Sequence, residues 1–296
     1  MAVLEYATIF SNVLRELYGQ ELTCDDLYHS NSDIQIVNGK DIKIPKLSVS
    51  GYKDHTRGGS FNSGTYSNGY ETKTLDHDRD IEFAVDPLDV DETNLVVTVS
   101  NIQNRFEKTQ AIPELDSYTY SKIYAEAKRV NAKIKTTALT SANVLSDFDD
   151  NLEAFAEAGV PLDRAILYAT PVYKKLLKNA EGIQRTLEVS SSSGIDRRVR
   201  SIDDINKIVE VPSARMKSLF DFTDGCKADS TAKQIDYILI DPEAQVSRVK
   251  YAYIKMFTPG TDSRTADNYM YQNRKVNGTF GIDELLKSGV IIHAEA

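Results

Sequence analysis

The sequence predicts an α+β fold for a globular chain of one large or two smaller domains. Three observations support this prediction: two segments in the first half have helical apolar spacing, apolar strands dominate the last third, and no internal repeat occurs. The chain has 296 residues, of which 41% are hydrophobic and 27% charged. This composition is typical of a folded protein, and the length is sufficient to bury a sizeable core.

Charge and cysteine content exclude several classes of protein. The 35 basic and 44 acidic residues give a net charge of −9, which disfavours a protein that binds nucleic acid through its whole surface. Two cysteines, Cys24 and Cys226, rule out a disulfide framework and a four-thiolate metal site. No apolar run is long enough to span a membrane, and the first residues do not resemble a secretory signal. We therefore expect a protein made in a reducing cytoplasm, with no membrane partner.

Helices are predicted where apolar residues recur every three or four positions. Pro113 opens the strongest of these patterns, and the segment ending at Gly159 has a typical helix stop. Thr170 and Pro171 are typical of an N-cap followed by a first-turn proline. The predicted helices cover residues 3–18, 113–135, 141–158 and 171–177.

Strands are predicted where apolar residues alternate or run continuously. Ile34, Ile36, Ile42 and Ile44 alternate around Asn38-Gly39, the dipeptide favoured in tight hairpin turns. The other predicted strands cover residues 80–85, 166–169, 208–211, 235–240, 246–257, 269–280 and 290–293.

Residues 48–70 have a different composition, with Gly, Ser, Asn and Thr dominating and few side chains that could enter a core. A stretch of this length without core-forming residues is uncommon inside a compact domain. We predict a long protruding loop or extended hairpin that is ordered by something outside its own domain. Residues 190–194 are predicted to form a second, shorter flexible loop.

No pattern in the sequence assigns a catalytic, cofactor-binding or metal-binding residue, so we expect that the protein is not an enzyme. Residues 59–65 have glycines at phosphate-loop spacing but lack the required lysine. Asp76, Asp78 and Asp80 would share one strand face, with His77 and Arg79 on the other, which favours a solvated strand edge over a metal site. A solvated turn is likewise favoured for the acidic residues Asp86, Asp89, Asp91 and Glu92. His29, His55, His77 and His293 match no catalytic pairing, and the two cysteines are expected to be buried.

Basic residues crowd the predicted long helix and the segment before it. A solvated helix face is the favoured interpretation, and a surface that faces phosphate or an acidic partner is the alternative. The residues concerned are Arg105, Lys108, Lys122, Lys128, Arg129, Lys133 and Lys135.

The order of the predicted elements is similar to that of a known protein family. A helical arm, a Gly/Ser-rich loop returning through residues 79–85, a long helix, a mixed region and closing strands follow one another. Local stretches at 164–171, 208–216, 232–242 and 249–251 agree with it. The chain resembles the major capsid protein of tailed bacteriophages, whose fold is shared with encapsulins and the floor of the herpesvirus capsid.

The resemblance implies an N-terminal arm (1–33), an extended loop (34–85), a peripheral domain (86–138 and 241–296) and an axial domain (139–240). It also implies that the chain assembles with itself, as hexamers and pentamers, into an icosahedral shell around packaged double-stranded DNA. The other implied partners are a separate scaffolding protein, a portal protein, an optional decoration protein, and the DNA through non-specific contacts. A separate scaffold, or removal of an extension before Met1, is implied because the chain begins at the arm. The implied location is the virion, assembled in the host bacterial cytoplasm.

Some relatives of this kind link the extended loop to a neighbouring subunit through a Lys–Asn bond. Lys53 and Lys73 lie in or near the loop, but no matching motif carries that chemistry over to this chain. Two alternatives stay open. One is an encapsulin-like bacterial compartment shell, and the other is a cytoplasmic α+β enzyme with the glycine-rich segment as a lid.

Overall fold

The computed structural model describes residues 22–30, 41–55, 57, 59, 61–87, 99–180, 205, 207–260 and 267–295. Four predictions lie outside these residues: the helix at 3–18, the Asn38-Gly39 turn, the loop at 190–194, and the role of acidic residues 89, 91 and 92. Within the described ranges no helix is long and apolar enough to cross a membrane.

The elements alternate along the chain between helices and strands. The helices are α1 (Asp25–His29), α2 (Val99–Phe106), α3 (Ile112–Arg129), α4 (Val144–Glu157), α5 (Pro171–Asn179) and α6 (Asp283–Gly289). The strands are β1 (Asp41–Val49), β2 (Tyr66–Thr74), β3 (His77–Val85), β4 (Lys133–Lys135), β5 (Ile166–Ala169), β6 (Lys207–Glu210), β7 (Phe220–Asp221), β8 (Lys227–Ala228), β9 (Ile235–Ile240), β10 (Gln245–Phe257), β11 (Tyr269–Gly281) and β12 (Val290–Ala294). The predicted α+β class is confirmed.

A five-stranded mixed sheet in the order β4-β12-β9-β5-β6 forms the centre of the fold. Strands β12 and β9 pair antiparallel, as do β9 and β5, whereas β12–β4 and β5–β6 are parallel pairs. Because β12 pairs with β9, the C-terminal end of the chain lies in the same sheet as the middle of the sequence.

Both faces of this sheet are covered, which explains the continuous apolar runs in its strands. Successive side chains point to opposite faces. On β9, Ile238 and Ile240 join the core beneath α3, together with Tyr120, Ile123, Ala127, Leu27 and Leu286. Tyr237 and Leu239 join the other core, beneath α4 and α5, together with Phe148, Phe155, Tyr173 and Leu177. A helix–sheet–helix sandwich is therefore the unit that positions the rest of the chain.

A second sheet, in the order β10-β11-β3, is built from long antiparallel strands. Val85 and Tyr271 on its inner face pack against Val99 of α2. A bulge between Val249 and Tyr251 interrupts the pairing of β10 with β11. Strand β3, which follows the β1–β2 hairpin in the sequence, belongs to this sheet.

The prediction that Pro113 lies at the start of a long helix is confirmed to within one residue, because α3 begins at Ile112, but the chain is already helical before this point. The helix begins at Val99 and runs through a π-helical turn at Glu107–Ala111 into α3. Ile112 donates its backbone N–H to the carbonyl of Glu107, five residues earlier. A proline within an α-helix lacks a donor and collides with the preceding turn, and the wider π turn just before Pro113 accommodates it.

The predicted end of this helix at residue 135 was wrong, because α3 stops at Arg129. Asn131 has φ 56°, and the N–H of Ala132 bonds to the carbonyl of Ala127 at 2.9 Å. This is the Schellman stop, with asparagine in the left-handed position. Residues 133–135 instead form β4 at the edge of the central sheet.

The predictions for α4, α5 and the strands of the two sheets other than β4 are confirmed to within a few residues. Gly159 has φ +72° and ends α4 in the predicted way. The Thr170 hydroxyl accepts from the N–H of Tyr173 at 3.3 Å, and Pro171 opens α5. Cys24 is buried as expected, whereas Cys226 is only partly buried.

Asp116 of α3 is fully buried and ties three segments together. Its carboxylate accepts from Thr23 Oγ1 at 2.7 Å, from the backbone N–H of Cys24 at 3.2 Å, and from Arg215 Nη1 at 2.9 Å. Burial, with a further contribution from the Asp116 charge, raises the pKa of the Cys24 thiol. Asp116 thus fixes the segment before α1 and the turn after β6 onto the same helix.

Candidate assembly surface

The predicted extended loop is a two-stranded antiparallel ribbon, made of β1 and β2. Nine residue pairs join the strands, from Asp41 opposite Thr74 to Val49 opposite Tyr66. At ~3.4 Å per residue the ribbon is roughly 30 Å long. The described residues between the strands continue it outward, where Tyr52 and Phe61 are almost completely exposed.

The two faces of the ribbon differ in chemistry. Directly opposed residues in an antiparallel pair lie on the same face, so Val49 and Tyr66 share a face with Leu47 and Tyr70 two or four residues away. These four side chains are 73%, 81%, 69% and 69% exposed, respectively. We call them the apolar ribbon face. A run of exposed apolar residues in a strand is a site for contact with another surface.

The opposite face of the ribbon packs on the body of the chain at its base. Ile42 and Ile44 are buried against Leu75, Val246 and Phe280. Farther out, this face carries the opposed pair Ser48 and Ser67, whose hydroxyl oxygens lie 2.7 Å apart. The apolar ribbon face is therefore the one turned away from the contacts with the chain's own body.

An ion cluster holds the base of the ribbon to α3 and α6. Lys73 Nζ lies 2.7 Å from Glu71, 3.1 Å from Glu126 and 3.0 Å from Asp283. Arg129 also binds Glu126 and Asp283, and its hydrogen bond is the main cause that holds the pKa of Asp283 far below its usual value. Several charges in one partly buried network fix geometry better than a single exposed pair.

The two loop lysines therefore have different environments. The Lys73 side chain is only 10% exposed and is surrounded by three carboxylates. Lys53 is exposed near the tip, with Nζ 3.4 Å from the carbonyl of Ser63. The covalent link considered for these residues stays untested.

The charged residues at the start of β3 bind different sets of side chains. Asp76 accepts from Tyr118 at 2.6 Å, and Asp78 forms a two-point pair with Arg274 at 3.0 and 2.8 Å. His77 and Arg79 instead face Glu114 of α3, at 3.4 and 2.7 Å, so the predicted division is confirmed for Asp78 against His77 and Arg79. It was wrong for Asp76, which precedes β3 and also binds side chains of α3. Burial is the largest single effect on Glu114 and by itself would raise its pKa. The hydrogen bonds from His77 and Arg79, together with the charge of Arg79, outweigh burial and lower the pKa of Glu114.

Among the residues that the structure describes, no group of three or more His, Cys, Asp or Glu side chains is arranged to hold a metal ion. Asp86, the first residue of the second acidic cluster, directly follows β3. Two acidic residues of β3 thus have partners within the chain: Asp78 pairs with Arg274, and Glu82 accepts a hydrogen bond from Gln272.

The basic stripe is partly neutralised by carboxylates of the same chain. Lys122 pairs with Asp76, Arg129 with Glu126, and Lys135 with Asp147. Lys133 and Lys135 lie on β4 rather than on the helix. The arrangement favours the solvated-face interpretation over a continuous phosphate-binding surface.

Two clefts in the described part of the chain are large enough for a small molecule. One, of about 580 Å³, lies on the outer face of the second sheet between Tyr251, Tyr253 and Arg274. The other, of about 520 Å³, lies between β3 and α3 and includes His77 and Glu114. None of the residues lining either cleft comes from residues 48–70, so the glycine-rich segment is not placed as a lid over them.

Solved structures with a similar arrangement of elements include chains of phage capsids. A chain described as the asymmetric unit of the bacteriophage PhiM1 mature capsid matches with a TM-score of 0.64 and 13% identity, over 89% of this chain and 84% of that one. The capsid structure of the cyanophage P-SCSP1u matches with a TM-score of 0.60 and 12% identity, over 88% and 85%. A chain from Mycobacterium phage Che8 matches with a TM-score of 0.60 and 14% identity, over 86% and 85%.

These similarities establish the fold: it is the one that these phage capsid chains adopt. No family model matches the sequence, and no curated protein matches it either. The sequence signal that could have located the apolar ribbon face was the alternation of Leu47 with Val49. Its significance depended on the pairing register with Tyr66 and Tyr70, which the sequence did not provide.

Proposed function

We propose that the chain is a shell-forming subunit, the major capsid protein of a tailed bacteriophage. It assembles with copies of itself, as hexamers and pentamers, into an icosahedral shell that encloses packaged double-stranded DNA. Its place is the virion, and its assembly takes place in the cytoplasm of the bacterial host. The observation that carries the proposal is the apolar ribbon face, exposed on a ribbon whose base is fixed to a capsid-like body.

The free energy available from this face is large enough to drive association. Burying an apolar side chain that was exposed is worth roughly 1.5–3 kcal/mol, so complete burial of Leu47, Val49, Tyr66 and Tyr70 would supply at most about 6–12 kcal/mol per ribbon. Part of this offsets the cost of bringing two molecules together. The remaining free energy is gained again at every ribbon contact around a ring.

The occupant we propose for the apolar ribbon face is a second copy of the chain. The ribbon extends away from the body on which its opposite face packs, so it reaches a neighbour more readily than its own core. A contact in which one copy gives a ribbon and receives another is heterologous, and such contacts generate closed rings when the rotation closes. Many modest contacts of this kind then sum to a stable shell.

The four-part division of the chain is part of the proposal. The arm is 1–33, and the ribbon belongs to the extended loop (34–85), whose last strand, β3, joins the three-stranded sheet. The other two strands of that sheet and the long helix belong to the peripheral domain (86–138 and 241–296). The axial domain (139–240) contains α4, α5 and strands β5, β6 and β9. The central sheet joins it to the peripheral domain, because β12 pairs with both β9 and β4. A scaffolding protein, a portal protein and a decoration protein are proposed as further partners.

The test replaces one opposed pair on each face of the ribbon. Val49→Asp with Tyr66→Asp places two carboxylates on the apolar ribbon face. Ser48→Asp with Ser67→Asp places the same two charges on the polar face, as the matched control. Because both variants put like charges directly opposite each other, they weaken the ribbon itself to a similar extent.

Electron microscopy and sedimentation, with the protein alone and together with the products of neighbouring genes, measure assembly. We expect the wild type and the serine variant to form rings or shells, and the apolar-face variant to remain as subunits with an unchanged circular dichroism spectrum. Shells formed by all three proteins, or a wild type that stays monomeric under every condition, would contradict the proposal. Nuclease-protected DNA inside the particles is the expected content, whereas an enclosed enzyme would instead indicate a bacterial compartment.

A further inference from the structure

His293 occupies a buried position on β12 between two hydrogen-bond acceptors. Its side chain is 2% exposed. Nδ1 lies 2.8 Å from a carboxylate oxygen of Asp236, and Nε2 lies 2.6 Å from the backbone carbonyl oxygen of Thr137. Neither partner atom has a hydrogen to donate.

This geometry determines the protonation state of the ring. A neutral imidazole carries one N–H, so one of its nitrogens would direct a lone pair at a lone pair of its partner. Only the imidazolium form donates to Asp236 and Thr137 at the same time. Burial opposes the charged form, but the hydrogen bonds to Asp236 and Thr137 and the charge of Asp236 outweigh it and raise the pKa of His293.

The charged groups around the ring come from three elements. Asp236 is the second residue of β9, Lys135 is opposite His293 on β4, and Asp147 faces the site from α4. Lys135 Nζ pairs with Asp147 at 2.8 Å, and Asp147 also accepts from the hydroxyl of Tyr237, whose ring is stacked 5.6 Å from His293. The site contains two carboxylates, of Asp236 and Asp147, and one ammonium group, of Lys135. The imidazolium of His293 balances the excess negative charge.

The segment held by His293 has few other attachments. Thr137 lies among residues 136–140, which have no regular secondary structure and connect β4 to α4. Strand β4 itself is a three-residue edge strand with three residue pairs to β12. The connection is also held by the Lys135–Asp147 pair, by a hydrogen bond from Asn143 Nδ2 to the carbonyl of Ala138 at 2.9 Å and by one from the Thr140 N–H to Asn143 Oδ1 at 2.7 Å. Leu139 packs against the core beneath α4 and α5.

We propose that His293 is a charged latch, which holds the connection between β4 and α4 closed when it is protonated and releases it when it loses the proton. The latch depends only on residues within one chain, so it does not rest on the proposed shell function. In the released state Thr137 loses its buried donor, and the edge strand β4 and residues 136–140 open locally.

The direction of the pH effect follows from the raised pKa. The latch stabilises the closed state fully below the pKa that histidine has in an unfolded chain. Its contribution is lost as the pH rises through the higher pKa of the folded state. Opening is therefore expected as the pH rises above the range in which an ordinary histidine titrates, and not in acid.

Hydrogen exchange measured by mass spectrometry tests the latch on the intact protein. Exchange rates for the peptide covering residues 133–140 are compared between pH 6 and pH 9, after correction for the intrinsic pH dependence of exchange. In the wild type we expect protection to fall with rising pH, by up to roughly tenfold for each pH unit above the pKa of His293, because one proton is linked to opening. A peptide from β5 should show no such change.

Two variants test whether the pH dependence of exchange comes from His293. His293→Gln should give low protection of residues 133–140 at both pH values, because a neutral amide cannot donate to both acceptors in this geometry. His29→Gln, at an exposed histidine beside Asp25, should keep the wild-type pH dependence. Equal protection at pH 6 and pH 9 in the wild type, or the same pH dependence in His293→Gln, would overturn the proposal.

Discussion

Replacing Asp116 by asparagine tests how strongly one buried carboxylate holds the N-terminal segment to the body of the chain. Both oxygens of Asp116 accept hydrogen bonds, one from Cys24 and the other from Thr23 and Arg215. An asparagine of the same shape keeps one acceptor and turns the other into a donor. One N–H or O–H then meets another donor, and the Arg215 guanidinium loses its counter-charge.

The magnitude follows from the burial of the group. Asp116 is fully buried and the Arg215 side chain is 22% exposed. Water can therefore replace few of the hydrogen bonds that the substitution removes. Removing one partner of a buried ion pair costs about 3–5 kcal/mol, and we expect Asp116→Asn to lower the free energy of unfolding by about 3 kcal/mol, at the lower end, because Arg215 retains some solvent. At roughly 2–4 °C per kcal/mol for a protein of this size, the melting temperature should fall by about 6–12 °C.

The assay is thermal and urea unfolding of the purified subunit, followed by circular dichroism. Asp149→Asn on the exposed side of α4 is the matched control and should change stability by less than ~0.5 kcal/mol. Arg215→Met, alone and with Asp116→Asn, completes a double-mutant cycle. A loss below ~1 kcal/mol for Asp116→Asn, or effects of the two substitutions that simply add, would refute the reasoning.

Two further substitutions test close packing and a helix end. Gly278→Ala should destabilise the fold by about 1–3 kcal/mol, because the added Cβ would lie 1.9 Å from Cδ2 of the buried Leu75. Gly69→Ala, where no atom lies within 4 Å, should be neutral in the same urea titration, and equal effects at both sites would contradict the model of packing. Asn131→Ala should cost about 1–2 kcal/mol because φ 56° is unfavourable for alanine. Asn131→Gly should be at least as stable as the wild type, and a stable alanine variant would show that the helix does not depend on this stop.

The local elements of the central sheet were predictable because their signals lie within a few neighbouring residues. The apolar run of β9 and the Thr170-Pro171 start of α5 need no information from elsewhere in the chain. The same holds for Gly159 at the end of α4. In each case the backbone preference and the tertiary structure favour the same conformation.

The long helix shows where local signals failed. Pro113 is a strong helix-start signal, but the packing of α2 against the second sheet extends the helix backward through a π turn. Asn131 was available as a stop signal, yet the apolar residues Val130 and Ile134 continued the helical spacing past it. Ile134 instead belongs to β4, which exists only because β12, more than 150 residues later, lies beside it.

The roles of Asp116 and His293 could not be derived from the sequence for a related reason. The sequence shows one aspartate in a helix and one histidine near the end of the chain. Their partners, Arg215 in one case and Asp236 and Thr137 in the other, are brought to them only by the fold.

The amino-acid sequence by itself determined the α+β class, the helices and strands with strong local patterns, and a segment unable to form its own core. The tertiary structure decided which face of that segment is left without a partner. Alternation tells which side chains share a face of a strand, but not what lies against that face. That depends on the pairing register and on the ion cluster around Lys73, whose members are far apart in the chain and meet only after folding.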